Sequence, residues 1–163
     1  MNRSILEQAR RLLENSMPLQ RDCGRQCGAA CCDCDDEGKG GVFLFPGEEE
    51  IIGEDWASVT QVRYKDSTLK MLTCDGTCER QNRPLGCMIF PLTPCIDKDG
   101  NVTVRFDYRA RPLCPLVKYG MNGLRKQFID DVTQAMTLIA DDEEGRAFLS
   151  LWQEIEEEYD FKL

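Results

Sequence analysis

Five cysteines fall within twelve residues, as C-GRQ-C-GAA-CC-D-C from Cys23 to Cys34, and no regular amphipathic element is built that way. Gly24, Gly28, Gly38, Gly40 and Gly41 punctuate the same stretch, so residues 21–41 are expected to be largely loop. A second group reads C-DGT-C-ERQNRPLG-C, from Cys74 to Cys87, and Cys95 and Cys114 bring the total to ten. Two dense groups with three-residue gaps are what a tetrathiolate site assembled from two loops requires. The glycines suit that role, because backbone without a Cβ can bend tightly around an ion.

Other uses of so many thiols fit the sequence less well. Ten is an even count and thiol-rich loops are often bridged, but disulfides belong to oxidising compartments. The first twenty residues are polar and amphipathic, without an apolar segment and small-residue cleavage site, so no secretory signal is expected and the chain is placed in the cytoplasm. No apolar run approaches the ~20 residues of a membrane span. The adjacency of Cys31 and Cys32 also suits joint coordination better than separate bridges. A buried free thiol acting as a small hydrophobe fits Cys95 but not a run of five. The C-x3-C-x2-C spacing of Cys27, Cys31 and Cys34 is that of radical-SAM clusters, but the repeated strand–helix units of such a barrel are missing.

Histidine is absent, which removes the usual catalytic triad, His-zinc hydrolase sites and an imidazole pH switch. Net charge is −9 and uneven. Residues 141–163 hold nine acids against two bases, whereas residues 79–126 hold nine bases against four acids. The overall sign argues against non-specific nucleic-acid binding. The acidic end, with Glu154, Glu156, Glu157, Glu158 and Asp160, reads as the solvated face of a helix.

Along the chain, Ile5, Leu6, Ala9, Leu12, Leu13 and Met17 recur at helical spacing over 3–17, with Asn2 or Ser4 as cap and Pro18 as stop. Residues 42–45 read as a short strand, and Pro46 opens a small helix through Glu48, Glu49 and Glu50. Residues 59–64 and 69–73 are β-prone, and 95–97 with 102–108 form a hairpin through an Asp99-Gly100 turn. Met121, Leu124, Phe128, Val132, Ala135, Met136 and Ile139 make one apolar helical face. Phe148, Leu151, Trp152, Ile155 and Tyr159 make another, more consistent with core than with an interface. The expected fold is α+β in a single domain, 1–163. A small irregular cysteine-rich core with a short sheet (21–115) is flanked by the N-terminal helix and a C-terminal antiparallel helical hairpin (120–160).

The order Cys23-x3-Cys27-x3-Cys31-Cys32, then Cys74, Cys78 and Arg83-Pro84-x-x-Cys87-x-x-Phe90-Pro91, resembles the bacterial CxxCxxCC zinc- or iron-chelating domain family (YkgJ-like), over about residues 21–115. That family has eight cysteines and includes flagellin lysine methylase-type proteins. The resemblance implies metal ligands at Cys23, Cys27, Cys31, Cys32, Cys74, Cys78 and Cys87, with Cys114, in Arg-Pro-Leu-Cys-Pro, chosen as the eighth. The chain departs from the family in its three-residue opening gaps, the eight residues between Cys78 and Cys87, and the extra Cys34 and Cys95. Either extra cysteine competes with Cys114 for the last position.

Eight thiolates can hold two zinc ions, a shared binuclear cluster, or an iron–sulfur cluster with others left over. Zinc is favoured, and a metal-binding protein is the leading expectation, with no catalytic site identified. An iron–sulfur electron carrier or methylase-type enzyme is the alternative, and a metal-stabilised interaction module, its protein partner unknown, is the third. Arg80, Arg83, Arg105, Arg109 and Arg111 are candidates to donate hydrogen bonds to the thiolates. Asp22, Asp33, Asp35, Asp36 and Asp75 are candidates for an oxygen-containing iron site.

Overall fold

The computed structural model describes residues 1–33, 41–53, 56–76 and 78–160, the last without its side chain. Cys34, Asp35, Asp36, Gly38 and Gly40 lie outside the described residues. Helix α1 (Arg3–Leu13) is capped by Asn2, whose side-chain oxygen accepts the Ser4 N–H at 2.9 Å. Its buried stripe of Leu6, Ala9 and Leu13 lies against α6 (Lys126–Asp141), which turns Phe128, Val132, Ala135, Met136 and Ile139 inward. The helix ends at Leu13, four residues short of the sequence pattern. Pro18 disfavours helix just before it, and Arg80 takes over the terminal acceptors, donating to the carbonyls of Leu13 (3.2 Å), Glu14 and Ser16 (2.6 Å).

Asp142 alone separates α6 from α7 (Glu143–Asp160), and its carboxylate accepts the Gly145 N–H at 3.0 Å and the Asn2 N–H at 3.1 Å. One side chain thus caps α7 and ties it to the start of the chain. The buried face of α7 is Phe148, Leu149, Trp152 and Ile155. Leu149 takes the place expected for Leu151, which is half-buried, and Tyr159 is exposed and stacked on Tyr108 with centroids 6.1 Å apart. Phe148 and Trp152 close on Phe45, at 4.7 and 5.7 Å between centroids.

Two small antiparallel sheets complete the α+β fold. Strands β1 (Val42–Phe43), β2 (Ser58–Tyr64) and β3 (Ser67–Thr73) pair in the order β1-β3-β2. Strands β4 (Leu92–Ile96) and β5 (Val102–Phe106) form the hairpin, with Leu92 opposite Phe106 and Ile96 opposite Val102. β4 starts three residues before the expected run and passes through Pro94. A two-stranded ribbon leaves every strand an unpaired edge, so proline is tolerated there.

The turn after β1 holds the least expected feature. Helix α3 (Glu49–Ile52) begins after Glu48, and Glu48 points into the core instead of onto a solvated first turn. Its carboxylate accepts the N–H of Leu85 at 2.6 Å, the N–H of Phe45 at 3.1 Å and Arg10 Nη1 at 3.0 Å. Arg10 also donates to the carbonyls of Arg83 (3.0 Å) and Gln81 (2.7 Å). Burial pushes the Glu48 carboxyl up to about 7, against the pull of these donors. The pair fastens α1 to the N-terminus of α4 (Leu85–Ile89), the helix that carries Cys87.

Candidate metal centre

The first thiol group is built by a tight reversal. Helix α2 (Gly24–Cys27) stops at Gly28, and Gly28 and Ala29 are both left-handed, at φ 63° and 59°. A 3-10 turn (Ala30–Cys32) follows and brings Cys31 back toward Cys23 and Cys27. From far along the chain, α5 (Ala110–Leu113) ends on Cys114, whose N–H returns to the Ala110 carbonyl at 2.8 Å. Cys23, Cys27, Cys31 and Cys114 together line a cavity of about 30 Å³, walled otherwise by apolar residues including Phe90 and Pro91. Burial raises the Cys23 thiol above its ordinary value, and Cys114, Asp22 and Cys27 raise it further. Cys114 is likewise raised, by burial first and by Cys27 among its neighbours.

The second group surrounds Arg83. Its guanidinium stands near Cys78, Cys32 and Cys87, whose sulfurs favour its charged form. Cys32 is held down to about 6, chiefly by a hydrogen bond from Cys31 and secondarily by Arg83. Cys31, the donor of that bond, is raised by it. Cys87 reaches the surface, yet it is flanked densely enough that burial, with Cys32, pushes it to about 12 while Arg83 opposes the rise. Gly76 explains how the Cys74–Cys78 loop comes so near the doublet. At φ 85° its backbone passes the Cys32 carbonyl so closely that a Cβ would sit 2.6 Å from that oxygen.

The remaining candidates sort by location. Cys74 follows β3, half-buried against the small cluster of Val42, Leu44, Ile52 and Leu72. Cys95 sits on β4 beside Arg105, Glu156 and Glu157, with no other cysteine among the groups that shift it. Of the arginines singled out, Arg83 faces thiols and Arg80 caps α1. Arg109 is held by the buried Asp107, with Nε 2.9 Å from Oδ1, and Arg111 is exposed on α5. Asp22 accepts the Gly24 N–H at 3.0 Å and so shapes the turn, while Asp33 and Asp75 are exposed.

All nine described cysteines are free thiols. Among the described residues, no three Cys, Asp or Glu groups are set so that they could hold an ion as they stand. The donor chemistry around the cavity is nonetheless uniform: four sulfurs and no carboxylate. Such a donor set fits zinc or iron and not the oxygen-seeking magnesium or calcium. No helix among the described residues is long and apolar enough to cross a membrane. No protein-family model, curated protein or solved structure matches this chain.

Two features of this region escaped the sequence. The burial of Glu48 left no trace, since an acid after Pro46 reads as a favourable helix start. A site drawing on both cysteine segments was expected, but which thiol stands by which was equally hidden: spacing puts neither Cys114 beside Cys23 nor Cys32 beside Cys87.

Proposed function

We propose that this chain binds zinc, or alternatively iron, through thiolates drawn from both of its cysteine-rich segments. The observation that carries the reading is the small apolar cavity lined by Cys23, Cys27, Cys31 and Cys114. Partly buried thiols beside one another, such as Cys23 and Cys114, resist ionisation, and a bound cation removes that penalty by neutralising the thiolates. The cavity has room for an ion or one to two waters, which favours a single metal over a multi-iron cluster. A shell closed by four sulfurs gives zinc a structural role, contributing on the order of 10 kcal/mol to folding. Cys32, Cys78 and Cys87, gathered around Arg83, supply the second set of ligands. The cysteine order that resembles the CxxCxxCC family points the same way.

The test is elemental analysis of the full chain purified without oxygen, beside a thiol count under denaturing, non-reducing conditions. A colourless protein carrying about two zinc ions per chain is the expected result. Metal-free protein with its thiols freely titratable, or joined as disulfides, would refute the proposal.

A further inference from the structure

We infer, given that the thiols bind metal at all, that the Cys31-Cys32 doublet is divided between two adjoining sites. Cys31 would complete the group of Cys23, Cys27 and Cys114. Cys32 would join Cys78 and Cys87.

Three observations carry the division. Cys31 lines the small cavity with Cys23, Cys27 and Cys114, and Cys32 is not part of that lining. Cys32 is instead a neighbour of Arg83 and Cys87, and Arg83 is in turn a neighbour of Cys78. Gly76, midway between Cys74 and Cys78, is pressed on the Cys32 carbonyl, so that loop meets the doublet from the Cys32 side. The local backbone supplies the reason. The doublet ends a 3-10 turn, in which successive side chains diverge by about 120°, so neighbouring residues face different partners.

The two sites stand edge to edge, because the Cys31 thiol still touches Cys32. One peptide bond therefore links the two metals, and the ligand geometry at either site is set partly by the other.

Cadmium-113 is the probe for the full wild-type chain, read by proton–cadmium correlation through the cysteine β protons. Two cadmium resonances are expected. One should correlate with Cys23, Cys27, Cys31 and Cys114, and the other with Cys32, Cys78 and Cys87. In C114S the second resonance should persist, and in C78S the first. Correlation of both doublet residues with one cadmium overturns the division, as does a doublet thiol that correlates with both ions, which would mark a bridged cluster. A chain that binds neither cadmium nor zinc overturns the metal reading itself.

Discussion

Replacing Arg10 with methionine should destabilise the fold by roughly 3–5 kcal/mol at pH 8, and by distinctly less at pH 6. The reasoning starts from three hydrogen bonds made by one buried guanidinium, to Glu48, to the Arg83 carbonyl and to the Gln81 carbonyl. Their loss alone is worth roughly 2–3 kcal/mol, and it applies at any pH. The pH-dependent part comes from Glu48, which is fully buried with its carboxyl raised to about 7 from an ordinary value of 4.5. Between those values the folded chain holds a proton that the unfolded chain has released, so this group's contribution to stability falls as pH rises through the window. In the wild type the fall levels off above about 7. Without the guanidinium the folded-state value climbs further, and the variant goes on losing about 1.4 kcal/mol per pH unit where the wild type has stopped. Urea unfolding at pH 6, 7 and 8, followed by tryptophan fluorescence, measures the difference. Thiols titrate over the same range, so the control is the same substitution made in an E48Q background, where the cost of losing Arg10 should not vary with pH. A single-variant loss that is flat with pH, or smaller than about 1 kcal/mol at pH 8, refutes the reasoning.

Gly76→Ala puts a Cβ against the Cys32 carbonyl on a backbone that disfavours it, and should weaken zinc binding by about 10–100-fold in chelator competition. Arg83→Gln removes the positive charge beside Cys78, Cys32 and Cys87 and should lower zinc affinity by a similar factor of about 10–100; an unchanged affinity would take Arg83 out of the site. Gly86→Ala would bring a Cβ to 2.3 Å from Val42 Cγ2, and should cost about 1–3 kcal/mol in urea unfolding. Cys95→Ser should leave metal stoichiometry unchanged by elemental analysis, since Cys95 lies with Arg105 and Glu156 and not with the other thiols.

Periodicity carried most of the secondary structure. Residues 59–64 and 69–73 pair as β2 and β3 with the turn at Lys65-Asp66, and the faces of α1 and α6 bury nearly the residues their spacing singles out. Those patterns are local, and the core reads them directly. Boundaries depended on distant groups: α1 stops early because Arg80 reaches its carbonyls, and β4 runs through Pro94 because, among the described residues, no strand pairs with its far edge. The thiol region was legible as chemistry but not as geometry. Cysteine density pointed to joint use of the thiols, while the approach of Cys114 to Cys23 depends on where the chain returns after β5, and no spacing rule reports that. Glu48 was the clearest miss, since a carboxylate is buried only when donors from three separate segments happen to converge on it.

Arg80 carries a consequence for the chain's history. The last turn of α1 finishes on a guanidinium borrowed from two residues beyond Cys78, and three backbone oxygens share it. An insertion or deletion between Cys78 and Arg80 would slide that group off its acceptors and open the end of α1 to water. The Cys78–Arg80 spacing, with Glu79 the single residue between them, is therefore tied to a helix some sixty residues upstream.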